Sequence, residues 1–299
     1  MHTLVKFACT LLFNVAPLCG AIGCACCVTS AQGAITYYRL FKSASYQQTA
    51  NAQPSTPDLT WANLDVFSNN PADVKLATVT AASPLSPFPL SLTGPGYAPP
   101  YTAFTFSTSY ATVSALTTNY PNSTSYQFAI SGGALGSQSA SLVSPASNLF
   151  PAIPYFSGST YSQAQGMNSS LPFTFAWNGF SVAGGAVNLE LAYFTVARIS
   201  DGQVAYSTVK GNGAGSVTLP ANSLQPNTSY NATLIYDARI EQANAGFNGA
   251  TSEVAFDQRV NLTFATVPEP PSIVLAVFGL VGMAFWRRRT RTHLPTWTI

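Results

Sequence analysis

Two pairs of carboxylates stand at spacings that chemistry could use: Asp237 with Glu241, and Glu253 with Asp257. Hydrolysis of a glycosidic bond needs two carboxyl groups facing each other across a sugar. Each pair, however, sits in a stretch where apolar residues alternate with polar ones. That alternation turns the carboxylates outward, toward solvated surface. Other catalytic chemistry is closed off by what the chain lacks. The two histidines are His2 and His293, and the five cysteines (Cys9, Cys19, Cys24, Cys26, Cys27) all precede residue 28. Between Ala34 and Thr266 there is thus no residue type for a Ser-His-Asp triad, a thiolate nucleophile or a His-ligated metal. No catalytic residue, metal ligand or cofactor is assigned.

Weaker constellations have simpler readings. Cys24-Ala25-Cys26-Cys27 has no second ligand pair at zinc spacing, and small apolar residues of a leader account for it. The oxygen-rich loop from Asp65 through Ser68, Asn69 and Asn70 to Asp73 could face calcium, but lacks EF-hand spacing and reads as an Asx turn. Tyr37, Tyr38, Tyr46, Tyr97, Tyr101, Tyr155 and Tyr161 lie in or near expected loops, where their rings could stack on sugars.

The elements that must position these residues are strands. Only 7% of the 299 residues are charged, and Ser, Thr, Asn, Ala and aromatics dominate, with 21 Gly and 21 Pro scattered without period. That composition favours strands and turns over amphipathic helices. The charges are also segregated: between Ala34 and Thr266 there are seven basic and nine acidic residues, a net charge of about −2. No basic stripe is present, so nucleic acid is not an expected partner.

Val187 to Ile199 alternates, with Val187, Leu189, Leu191, Tyr193, Ala197 and Ile199 on one face and Asn188, Glu190 and Arg198 on the other. Asp201-Gly202 then predicts a hairpin turn and Gln203 onward a return strand. Tyr230, Ala232, Leu234, Tyr236, Ala238 and Ile240 predict another strand, and Val254, Phe256, Val260, Leu262 and Phe264 a last one. Phe173, Phe175 and Trp177 supply an earlier core strand.

Leu224-Gln225-Pro226-Asn227-Thr228-Ser229-Tyr230 resembles the fibronectin type III corner, in which Leu, Pro and a Tyr opening strand F tie a loop to the backbone. The resemblance covers roughly Ser170 to Thr266. A related phrase, Pro121-Asn122-Ser123-Thr124-Ser125-Tyr126, occurs earlier. The expected fold is all-β, with one or two immunoglobulin- or fibronectin-III-like antiparallel sandwiches. Drawn as two, the units are 34–150 and 151–266, joined through a Pro-, Gly- and Ser-rich stretch.

The two ends carry targeting features. Lys6, the apolar run Phe7 to Val28 and the small-residue exit Ser30 to Ala34 form a signal peptide, residues 1–33, with cleavage between Gly33 and Ala34. A retained anchor, or lipidation at Ile22-Gly23-Cys24, are the alternatives. At the other end come Val267, Pro268, Glu269 and Pro270, then fourteen apolar or Gly residues from Ile273 to Trp286, then Arg287, Arg288, Arg289 and Arg291. As a helix that run reaches only ~21 Å at about 1.5 Å per residue, against about 30 Å of hydrocarbon. It suits temporary retention, with the arginines holding the C-terminus in the cytoplasm.

This ordered set, 267–291, resembles the PEP-CTERM sorting signal, and residues 292–299 form a tail beyond it. The resemblance implies recognition by an exosortase, passage through the export machinery and transient anchoring in the inner membrane. It also implies release to the surface of an exopolysaccharide-producing Gram-negative bacterium. The role of the body is then structural or adhesive and non-enzymatic, in contact with exopolysaccharide. A carbohydrate-binding or carboxylate-dependent glycan-active body and a permanently tail-anchored protein are the competing readings. Having no thiol, the exported body should fold without metal or disulfide: its melting temperature should not move with chelator or reductant, and a large drop with chelator would restore the calcium reading.

Overall fold

The computed structural model describes residues 34–95, 102–180, 182, 187–211 and 215–267. All belong to the compact unit Gly33–Ile299. Gly33, Tyr97, Tyr101, the signal peptide, Pro268, Glu269, Pro270 and the arginines from Arg287 to Arg291 lie outside the described residues.

The described chain is all-β. In order it forms β1 (Ile35–Gln47), β2 (Leu59–Ser68), β3 (Leu76–Thr80), β4 (Phe88–Pro95), β5 (Thr102–Tyr110), helix α1 (Val113–Asn119), β6 (Ser125–Gly133) and β7 (Gly136–Val143). There follow helix α2 (Thr160–Ala164), β8 (Met167–Asn168), β9 (Phe173–Ala176), β10 (Leu189–Arg198), β11 (Val204–Gly211), β12 (Ser216–Leu219), β13 (Ser229–Gly246) and β14 (Ala250–Val267). One sheet runs β11-β10-β13-β14-β1-β2-β5-β4-β3-β6-β7, with β8 beside the end of β14, and β12-β9 makes a second, two-stranded sheet. All neighbours in the large sheet are antiparallel except β1 with β14 and β8 with β14.

After residue 150 the strand order is that of a fibronectin-like sandwich. Strands β11, β10, β13 and β14 stand where C′, C, F and G stand, and β9 and β12 take the places of B and E. The two layers meet through rings: Phe175 of β9 lies 5.1 Å from Phe194 and 5.7 Å from Phe264, and Trp177 stacks on Phe194 at 5.7 Å. The corner forms as its residues require. The Gln225 N–H donates to the Tyr230 hydroxyl at 2.8 Å, Leu224 is buried, and Asn227 takes a positive φ of 49° after Pro226. The earlier phrase behaves alike, with Ser123 at φ 52° and the Tyr126 hydroxyl donating to the Pro121 carbonyl at 3.2 Å.

The boundary drawn at 150/151 does not interrupt the sheet. One apolar cluster is built mainly from residues before it, around Tyr38, Leu64, Phe88, Tyr120 and Phe128. A second is built mainly from residues after it, around Phe175, Phe194, Leu234 and Phe264. Strands β1, β13 and β14 pass from one cluster to the other. The last two are 18 residues each, far beyond the five or six of an ordinary strand. Their outer ends belong to the first cluster, where Gly246 runs against β7 so closely that a Cβ there would lie 2.4 Å from the Ala140 Cβ.

Where the clusters meet, the inner face carries a polar seam. Lys42 of β1 lies between Leu40 of the first cluster and Ala44 of the second, and Gln258 of β14 lies between Phe256 and Val260. The Lys42 ammonium donates to the Tyr120 carbonyl at 2.7 Å and to the side-chain oxygens of Asn122 at 2.9 Å and Asn148 at 3.0 Å. Three acceptors use all three of its N–H groups. Burial draws its pKa down to about 8, so at neutral pH it keeps the proton those bonds need.

The periodicity readings divide. Tyr230, Ala232, Leu234, Tyr236 and Ala238 are buried, as are Val254, Phe256, Val260, Leu262 and Phe264. On β10 the face is reversed: Ala192, Phe194 and Val196 enter the core, and Leu191 and Tyr193 face the other way. The polar residues at both strand ends (Asn188, Glu190, Arg198) had marked the even face as solvent. Tyr38 and Tyr46, expected in or near loops, are core residues of β1.

Replacing Tyr230 by Phe removes the corner bond with little loss of apolar area. It should cost about 1 kcal/mol, read as a lowered midpoint in urea. Unchanged stability would mean that the hydroxyl does not hold the corner.

Candidate functional site

Every second residue of β1, β13 and β14 points away from the apolar clusters, and this other face, with Asp65 of β2, gathers eight of the sixteen charged residues of the body. The register sets the rows. Asp237 pairs with Asp257, Asp257 with Ser43, and Ser43 with Trp61. Two residues to one side the row is Arg239, Ala255, Phe41 and Asn63; one row further it is Glu241, Glu253, Arg39 and Asp65. To the other side lie Tyr193, Ile235 and Arg259. Of these, Arg39, Phe41, Tyr193, Ile235, Asp237, Arg239, Glu241, Glu253, Asp257 and Arg259 line a groove of about 670 Å³, with Tyr37 at one end and Tyr193 at the other.

The charges are tied to one another. Arg39 Nε donates to Asp65 Oδ2 at 2.7 Å and its Nη1 reaches Glu253 Oε1 at 3.4 Å. Arg239 reaches Asp237 Oδ2 through Nε at 2.7 Å and Glu253 Oε2 through Nη1 at 3.1 Å, and its Nη2 donates to the Tyr193 hydroxyl at 3.2 Å. Glu241 lies 3.8 Å from the same guanidinium, and Arg259 Nη2 lies 3.5 Å from Asp257 Oδ2. Aromatic rings complete the enclosure. Tyr37 stacks on Phe67 at 3.9 Å, Arg39 lies over Phe41 and Phe67, and Arg259 sits 4.5 Å from the Trp61 ring centre.

This geometry overturns the solvated setting expected for the carboxylate pairs. Asp237, Glu253 and Asp257 are 3%, 5% and 5% exposed, while Glu241 is half-buried at the rim. Alternation correctly turned them from the apolar core, but the second face is itself covered by long guanidinium and aromatic side chains. The close pair also differs from either pair read along one strand. Asp237 meets Asp257 across the β13–β14 ladder, where directly opposite Cβ atoms lie about 5 Å apart.

Burial and the facing Asp237 hold the Asp257 carboxyl well above the usual carboxylate range. Burial raises Glu253 as well, against the pull of Arg239 and Arg39. For the two arginines, burial opposes the charge but the facing carboxylates outweigh it, so both stay protonated. Burial pushes the Tyr37 hydroxyl up to about 12, leaving it neutral. Asp237 Oδ1, Asp257 Oδ1, Ser43 Oγ, Asn63 Oδ1 and Arg259 Nε are buried with no hydrogen-bond partner from the protein.

Other candidates are dispersed. Asp65 is in the groove network, but Asp73 accepts from the Ser68 hydroxyl at 2.6 Å within its own turn, so the oxygen-rich loop does not converge. Among the described residues no group of three or more His, Cys, Asp or Glu could hold a metal ion. Tyr155 and Tyr161 lie before and within α2, away from the groove lining. The sequence reading missed Arg39, Arg239, Arg259 and Tyr193 as site residues. A signal was present: Arg39, Arg239 and Arg259, three of the seven basic residues of the body, fall inside long strands rather than in turns.

The end of β14 concerns targeting. Thr266 and Val267 pair in parallel with Met167 and Asn168, and the Thr266 hydroxyl donates to the Gln225 carbonyl at 2.7 Å. Residues 266–289 match the PEP-CTERM protein-sorting motif. The match starts on the last two residues of a paired strand, so the motif follows the folded body with no intervening linker in the sequence. No curated protein matches the chain. Among solved structures, the FN1–FN3 domains of chicken CNTN1 align at 11% identity over 76% of this chain and 69% of that one, with a TM-score of 0.22. So low a score carries no weight, and the fibronectin-like description rests on strand order and the tyrosine corner.

The raised Asp257 pKa has a definite consequence for stability. Below about pH 4, near the ordinary carboxylate pKa, folded and unfolded chains both hold the proton. As pH rises toward the folded pKa only the folded chain keeps it, and stability is lost across that window. Asp257→Asn removes the effect, so the variant should melt above the wild type at pH 7 and converge with it near pH 4. A variant that melts lower at pH 7 would show that the carboxylate is ionised in the fold.

Proposed function

We propose that the chain is an exported, exosortase-processed protein of the bacterial cell surface or extracellular matrix, with a non-enzymatic, structural or adhesive body that associates with exopolysaccharide. The PEP-CTERM motif at 266–289 carries this reading, since it implies an exported protein sorted through the membrane by an exosortase. Support for a non-catalytic body comes from its chemistry. Residues 34–266 contain no His or Cys. The buried Asp65, Asp237 and Glu253 are each paired with a guanidinium group, which opposes their use as free acids and bases.

In this reading the signal peptide is removed near Gly33–Ala34. The arginines at 287–291 hold the C-terminus in the cytoplasm of a Gram-negative host, and Pro268-Glu269-Pro270 is where the chain is processed. Proline fixes φ and lacks an N–H, so a Pro-Glu-Pro sequence disfavours both helix and strand pairing. Intact-mass measurement on the protein from an exosortase-bearing host should show both termini removed, with the mature chain ending near residue 270. Replacing Glu269 or deleting Arg287 to Arg289 should trap a longer, membrane-bound form. Mature surface protein that retains its C-terminus through Ile299 would overturn the sorting role and leave a permanently tail-anchored protein.

A further inference from the structure

The groove on the outer face of β10, β13, β14 and β1 has features that the sorting reading does not use. From Thr251 to Arg259 along β14 its lining runs roughly 26 Å, at about 3.3 Å per residue. Arg39, Arg239 and Arg259 alternate there with Asp237, Glu241, Glu253 and Asp257. Three guanidinium groups stand against four carboxyls, one of which retains its proton, so the lining has no charge left over to attract an ion of either sign. Lipid chains would strand these polar groups, and phosphates would need unmatched cations.

A ligand of a different kind fits. The hydroxyls of a sugar ring each donate and accept, as a floor of alternating guanidinium and carboxyl groups requires. The C–H faces of the ring pack against aromatic side chains such as the half-buried Tyr37 and Tyr193 at the two ends. An independent observation points the same way. Asp237 Oδ1, Asp257 Oδ1 and Arg259 Nε belong to side chains that line the groove, yet have no protein partner. Unpartnered buried polar atoms are rare in folded proteins and call for a water, an ion or a ligand. An acceptor on Asp237, a donor on Arg259 and a protonated Asp257 carboxyl that can do either complement neighbouring ring hydroxyls.

We propose that this groove binds a neutral polysaccharide, lying along the strands, with Asp237, Asp257 and Arg259 meeting ring hydroxyls and Tyr37 and Tyr193 packing against ring faces. The proposal rests on the reading of an exopolysaccharide-associated body and gives that association a location. Binding, rather than cleavage, is what the tied carboxylates support.

The test is electrophoresis of the full chain in detergent through native gels containing dextran, laminarin or galactomannan (neutral), alginate (anionic) or chitosan (cationic). At least one neutral polymer should retard the wild type. Asp257→Asn and Tyr193→Ala, each first shown by thermal melting to be folded, should weaken that retardation at least ten-fold in apparent Kd. Retardation by alginate or chitosan alone, no retardation by any neutral polymer, or retardation equal in wild type and both folded variants would overturn the proposal. Delivery fails separately. A chain that is processed and reaches the surface but binds no neutral polymer removes the groove assignment alone, and one retained unprocessed but still retarded removes only the sorting role.

Discussion

Strands β1 and β14, side by side at the middle of the sheet, are covered on both faces, and much of the remaining architecture follows from that constraint. A strand with one wet face can leave its charges in water. Here Tyr38 to Tyr46 of β1 and Ser252 to Gln258 of β14 are buried without interruption, so every charge on those stretches needs a partner on a neighbouring strand. Register supplies the partners: Arg39 stands beside both Asp65 and Glu253 because β1 pairs with β2 on one edge and β14 on the other. Breaking one such pair strands the other charge, which in buried networks costs several kcal/mol. The network therefore fixes strand order and alignment more than it adds net stability.

The inner face solves a different problem with the same strands. Two apolar clusters are served by one set of long strands, and the seam between them is closed by Lys42, whose ammonium gathers Tyr120, Asn122 and Asn148 from two connecting segments. A hydrophobic residue at this position would leave three oxygens without donors. The lysine thus fastens two loops of the first part over the seam, while the two parts themselves are joined by the hydrogen-bonded ladder of β1 with β14.

The β class and the core faces of β13 and β14 were legible because each has one face on which apolar residues predominate at period two, and the tyrosine corner because its residues act locally. The core face of β10 was misread since its middle is apolar on both faces and only its polar ends broke the symmetry. The groove was invisible for a related reason. Period two assigns a residue to a face but says nothing of what covers that face, and the cover comes from Phe41, Trp61 and Tyr193, distant in sequence from the carboxylates. Asp237 and Asp257 become neighbours only through the β13–β14 pairing, which no spacing along one strand reveals.

The parallel pairing of the first and last long strands bears on how the body carries load. From Tyr37 with Thr251 to Gln47 with Asn261 the two strands run side by side in the same direction. The chain enters β1 at one end of this pair and leaves β14 at the other. Tension applied between residue 34 and residue 267 therefore pulls the strands past each other along their length, so the ladder must yield as a set rather than peel bond by bond. β2 and β13 flank the pair and share the shear. A body stretched between a surface and a matrix would meet that pull across its most heavily bonded strands.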